Sequence, residues 1–204
     1  MLLIRSRVVF FLLLFLLPLT SHAATITFYD MRSDWETAVG GVFEEEDFND
    51  GLVNAPGLSV ASTVGTTSLG VWTDQVNDAP LQTTEWFFAI PIRGFGALFD
   101  LAPIGPGQGI AMTISLAGGT QLLLQEVPNS STGEFFGFVS SAAFTSVLFT
   151  EGTQPSGVQE TFNMDELVYS PVPESTSVLM VGTGLIALAG LLARRRRVHL
   201  RLDH

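Results

Sequence analysis

The sequence predicts an all-β fold: an antiparallel β-sandwich of jelly-roll type with one short N-terminal helix, followed by a single C-terminal transmembrane helix. Three observations predict it. Short runs rich in β-branched and aromatic residues follow one another, separated by Gly, Pro, Asn and Asp clusters, as strands joined by tight turns require. One segment of the body carries a helical signature, and no helical patterns alternate with the strand-like runs, which disfavours a parallel α/β fold. No repeat of fixed period is visible, so neither a propeller nor a solenoid is expected.

In chain order the predicted strands cover residues 25–29, 58–64, 68–73, 85–90, 94–101, 110–116, 120–127, 134–139, 144–150 and 161–169. After the first of them, Ser33-Asp34-Trp35-Glu36 fits a capping box, which predicts a helix capped by Ser33 with Glu36 as the reciprocal partner. Trp35 and Val39, four apart, share one face of it. The clearest hairpin is residues 110–127, because two apolar runs flank Ala117-Gly118-Gly119 and paired glycines supply the positive φ of a tight turn. Ser170-Pro171-Val172-Pro173 reads as an extended linker, since each proline biases the residue before it away from the helical region.

Both ends read as targeting segments. Arg5 and Arg7 precede an apolar stretch over residues 8–17, and Ser21-His22-Ala23 places small residues where signal peptidase reads them, so cleavage after Ala23 is expected. Near the other end, residues 178–193 carry no charged side chain. As a helix they rise roughly 24 Å against a hydrocarbon core of roughly 30 Å, and Ser177 with a snorkelling Arg194 lets the segment just span. Arg194, Arg195, Arg196 and Arg197 cross a bilayer at high cost and hold the C-terminus on the cytoplasmic side. The expected organisation is a signal peptide (1–23), an exported ectodomain (24–170), a linker (171–177), a membrane span (178–193) and a basic tail (194–204).

The order Pro173-Glu174-Ser175, Gly/Ala/Leu-rich span, arginine cluster resembles the PEP-CTERM sorting signal of exopolysaccharide-producing Gram-negative bacteria. The resemblance implies recognition of Pro173 and Glu174 by an exosortase, a membrane-embedded cysteine protease or transpeptidase, with Arg194 to Arg197 as the retention signal. The family usually reads Pro-Glu-Pro, whereas Ser175 stands third here, and the chain continues past its arginines to His204. A second resemblance rests on Glu134-Phe135-Phe136-Gly137-Phe138-Val139 and Phe162-Asn163-Met164-Asp165-Glu166-Leu167-Val168, which look like the closing strands of jelly-roll ectodomains that precede such signals. There the acidic pair, here Asp165-Glu166, faces outward or meets a calcium ion.

Charge narrows the partners. Between Ala24 and Val172 two arginines, Arg32 and Arg93, stand against eighteen Asp and Glu, a formal charge of −16. Such a surface repels nucleic acid and anionic lipid and attracts cations. There is no lysine and no cysteine, so the domain is held by its core and not by disulfides. All three histidines, His22, His199 and His204, lie outside the body. Histidine-dependent hydrolysis, cysteine nucleophiles, Schiff bases and histidine-ligated zinc are therefore excluded there, and no catalytic residue is assigned. A glycosidase needing two carboxylates survives as an alternative.

The acidic run Glu44-Glu45-Glu46-Asp47-Phe48-Asn49-Asp50-Gly51 is the best candidate site, because hard cations seek clustered carboxylate and carbonyl oxygens. Its spacing is not that of an EF-hand. If the run lies beside the last strand, Glu46 or Asp47 can share a structural Ca2+ with Asp165; no other cofactor is expected. A solvated strand end is the plainer reading of the same acids. Trp72, Trp86, Phe87 and Phe88 are expected in the core, and would support a carbohydrate-binding module only if they lined an exposed face. The function these observations favour is an exported, non-enzymatic surface or matrix protein associated with extracellular polysaccharide.

Overall fold

The computed structural model describes residues 24–79, 81–102, 107–116, 119–155 and 159–172. The signal peptide, the sorting phrase, the membrane span and the arginine tail lie outside the described residues. Among the described residues no helix is long and apolar enough to cross a membrane.

The described chain forms a sandwich-like sheet with one helix. In order it runs β1 (Ile26–Tyr29), α1 (Arg32–Ala38), β2 (Glu44–Glu46), β3 (Leu58–Ser62), β4 (Thr66–Ser68), β5 (Val71–Asp78), β6 (Leu81–Gln82), β7 (Thr84–Asp100), β8 (Ile110–Leu116), β9 (Gln121–Leu123), β10 (Thr132–Glu151) and β11 (Glu160–Pro171). All recorded pairings are antiparallel, and the main path is β4-β5-β11-β7-β10-β8-β9.

Two strands organise the whole. The predicted strands 85–90 and 94–101 are one strand, β7, and 134–139 and 144–150 are one strand, β10. They pair along their length as a ribbon that bends in the middle. Between the register pairs Phe144↔Ile92 and Ser146↔Phe87 four residues of β7 stand against one of β10; between Val139↔Gly94 and Phe144↔Ile92 four of β10 stand against Arg93 alone. Such irregularities bend a strand and shift side-chain parity. Thr84, Trp86 and Phe88 face inward before the corner of β7, and Phe95, Ala97 and Phe99 after it. The slip keeps apolar side chains on the inner side of both halves. One layer is then β5, β11, the second half of β7, the first half of β10 and β1; the other is β3, the remaining halves, β8 and β9.

Aromatic rings fill the space between these layers. Trp72 of β5 meets Trp86 of β7 with centroids 5.2 Å apart and planes at 68°, and Phe48 packs on both. Phe149 joins Phe95, Phe99 and Phe162. Each such side chain contributes roughly 1.5–3 kcal/mol by leaving water, which is how a chain without disulfides holds together.

The helix covers the outer face of the first layer. Trp35 packs with Phe135 and Val168 in a second small core, and its Nε1 donates to the Phe138 carbonyl at 3.1 Å. The ring lies over Gly94 and Gly137, where an added Cβ would come within 2.8 and 3.0 Å of it. The helix starts two residues earlier than the capping box predicts. Met31 is the N-cap with no side-chain cap, Ser33 lies inside the helix, and Glu36 is drawn to Arg32. The hairpin at residues 110–127 forms as expected, with Gly119 at φ +84°. Its return strand is shorter than predicted, Gln121–Leu123 plus a bridge at Val127. Run 68–73 is broken by a turn at Leu69-Gly70, so it supplies the end of β4 and the start of β5.

Candidate functional site

The acidic run does lie beside the last strand. β2 pairs with β11, placing Glu46 opposite Leu167, Glu45 opposite Val168 and Glu44 opposite Tyr169. What gathers there is organised around an arginine. Arg32 Nε contacts Glu36 Oε1 at 2.9 Å, its two terminal nitrogens grip Glu45 at 3.0 and 2.7 Å, and Nη1 also reaches Glu166 Oε2 at 2.7 Å. The guanidinium also stands 5.7 Å from the Phe43 ring centroid. The hydrogen bond to Glu45, ahead of those to Glu36 and Glu166, raises the arginine's already high pKa. One cation thus ties α1, β2 and the bulge in β11, where Glu166 has φ +47°.

Each of the three carboxylates expected around calcium has a different setting. Glu46 is buried and turned inward: its Oε1 accepts from Phe48 N at 3.0 Å, and its Oε2 from Asn54 N at 2.6 Å and Ala55 N at 2.8 Å. Asp47 is exposed and accepts from Asn49 N at 3.0 Å, a bond that holds its carboxyl below the usual range. Asp165 accepts from Glu166 N at 2.7 Å; burial pushes its pKa up despite that bond, and repulsion from Glu166, Asp47 and Glu45 adds to the rise. Among the described residues no group of three such side chains is placed to hold a metal ion. Asp50 likewise serves its own loop, accepting from Leu52 N. Arg32 already offsets this charge, so millimolar Ca2+ is expected to leave the melting temperature unchanged. A rise that Asp47→Asn abolishes would instead place an ion between Asp47 and Asp165.

The aromatic residues give a clear reading. Trp72, Trp86 and Phe88 are buried, and Phe87 is 39 % exposed. Trp72 Nε1 donates to Asp74 Oδ2 at 3.1 Å, an oxygen that Thr84 Oγ1 also reaches. Trp72, Trp86 and Phe88 therefore belong to the core as expected, whereas Phe87, opposite Trp86 and Phe88 in the alternation of β7, faces outward and not into the core.

One carboxylate with an acid–base character was not legible in the sequence. Glu160, at the start of β11, is 0 % exposed; Oε2 accepts from Gly109 N at 2.6 Å, and among the described residues Oε1 is buried with no hydrogen-bond partner. Burial, with repulsion from Glu151 as a smaller cause, pushes its pKa up to about 7. A raised acid beside a second carboxylate is the pattern of a glycosidase pair. Yet Glu160 is sealed from solvent, and Glu151 is engaged by Asp78 N and Gln108 Nε2.

Pro173, Glu174, Ser175 and Arg194 to Arg197 lie outside the described residues, but the approach to them is visible. β11 ends at Pro171, and Val172 N donates to the Pro91 carbonyl at 3.0 Å.

No family model and no curated protein matches the chain. Solved structures with similar architecture include CBM29_1, a family 29 carbohydrate-binding module from Piromyces equi, at 9 % identity and TM-score 0.43 over 74 % of this chain and 93 % of that one. CBM32-5 of the Clostridium perfringens protein CpGH89, in complex with GalNAc-β-1,3-galactose, is similar at 12 % identity and TM-score 0.35 over 53 % and 95 %. The K2 cleaved adhesin domain of Lys-gingipain is similar at 11 % identity and TM-score 0.34 over 72 % and 99 %. At these values the likeness assigns neither ligand nor activity to this chain.

Proposed function

We propose that this chain is an exported, non-enzymatic surface or extracellular-matrix protein built on a jelly-roll-type sandwich. It is tethered by its C-terminal segment, sorted through Pro173-Glu174-Ser175 by an exosortase, and works among extracellular polysaccharide. The observation that supports this most is the manner in which the chain leaves the domain. β11 is paired with β5 and β2 on one edge and β7 on the other, and it runs directly to the sorting phrase. A tether attached to an interior strand loads many ladder hydrogen bonds together, which suits a domain held at a surface. The acidic, lysine-free and histidine-free body fits an exported support better than a catalyst. The alternative of a tryptophan-lined sugar module loses its support with the rings buried. The carboxylate glycosidase loses its support with Glu160 sealed.

Export is tested by intact mass: protein recovered from the envelope is expected to begin at Ala24. A chain that still begins at Met1 would contradict it.

A further inference from the structure

The body has two cations, and only one of them is committed. Arg32 holds three carboxylates, whereas among the described residues no carboxylate lies within ion-pair distance of Arg93. Arg93 sits at the corner of the β7–β10 ribbon and lines a cavity of about 430 Å3 between β1, the end of α1 and that corner. With it stand the hydroxyls of Thr25, Thr27, Tyr29 and Ser141; among the described residues no acidic side chain lines the cavity, although the body carries eighteen.

We propose that this cavity binds the carboxylate of a uronic acid residue, one anionic sugar unit at a time. A guanidinium presents a planar fork that matches a carboxylate through two parallel hydrogen bonds. The Ser141 hydroxyl is pre-aimed as a donor: its Oγ accepts from Thr25 N at 2.8 Å, leaving its proton for a ligand oxygen. The volume exceeds what a simple anion needs and admits a sugar ring, for which Tyr29 and Val39 supply apolar wall. The surrounding charge of −16 repels a polyanion, so an otherwise uncharged glycan ending in a single uronate is accepted over a continuous polyuronate. The proposal rests on the reading that the domain meets polysaccharide outside the cell.

The test is calorimetry on the purified full chain in detergent, with an otherwise uncharged trisaccharide ending in one glucuronate as probe. The same trisaccharide with its carboxyl reduced to the alcohol is the control. Expected are binding of the acidic sugar, loss of at least about tenfold in affinity with the reduced sugar and with Arg93→Ala, and partial recovery with Arg93→Lys. Because Arg93 is exposed, its substitution leaves the melting temperature in place. Absence of binding at several millimolar, equal binding of the reduced sugar, or indifference to Arg93→Ala would each overturn the proposal. Sorting does not enter this measurement, so its failure would leave the export reading standing.

Discussion

Glu46→Ala is expected to destabilise the domain by roughly 3–6 kcal/mol, since three backbone N–H groups lose their acceptor and each orphaned buried donor costs about 1–3 kcal/mol. In a domain of this size that is a fall of about 10 °C or more in melting temperature. The cause is local. The chain from Phe48 to Ala55 turns back on itself with Phe48 at φ +53° and its ring in the core, and no strand offers acceptors to the inward-facing amides. The Glu46 carboxylate supplies them. Glu46→Gln keeps one oxygen but points an amide donor at other donors, so it recovers only part of the loss. Glu44→Ala, two residues away and exposed, is expected to stay within about 0.5 kcal/mol of the parent. Urea unfolding of the three variants checks this. A loss under about 1 kcal/mol for Glu46→Ala would show that the loop finds other acceptors.

The second large effect concerns pH. Glu160 has its pKa raised from 4.5 to about 7 in the folded chain, chiefly by burial. Between those values the native state holds a proton that the unfolded state has released. Stability therefore falls as pH rises from about 4.5 and levels off above about 7, where the native group too is ionised. Asp165, raised in the same direction by burial, adds to the slope. The loss carried by Glu160 is on the order of 2 kcal/mol. Glu160→Gln keeps an acceptor for Gly109 N and removes the charge, so it is expected to stabilise the domain at pH 8 and do little at pH 5. Thermal unfolding across that range reads both. A parent whose stability rises from pH 5 to pH 8, or a variant with an unchanged slope, would contradict the assignment.

Much of the architecture is legible in the sequence because alternation and turn residues are local signals. The hairpin around Gly119, the helix carrying Trp35, and the burial of Trp72, Trp86 and Phe88 follow from such signals. The bent strands do not. Pro91, Gly94 and the run Ser140-Ser141-Ala142-Ala143 read as strand ends, yet pairing resumes beyond each because the neighbouring layer receives the continuing chain. The acidic run shows the same limit. Composition reveals a cluster of carboxylates, but only tertiary contacts separate Glu46, which serves backbone amides, from Glu45, which serves Arg32. For Glu160 there is no signal, since its environment comes from a loop some fifty residues earlier. Arg93 had one: in a body with two basic residues, each cation needs an account.

Delivery and sorting of the domain through its C-terminal phrase are what we propose. The direct measurement is intact mass of the protein from envelope and medium of a strain encoding an exosortase and a matched strain lacking it. Loss of the chain beyond about Pro173 is expected only where the protease is present. An unprocessed C-terminus in both strains would contradict it and make this a permanently anchored ectodomain, with Ser175 in the third motif position as the first residue to exchange for proline.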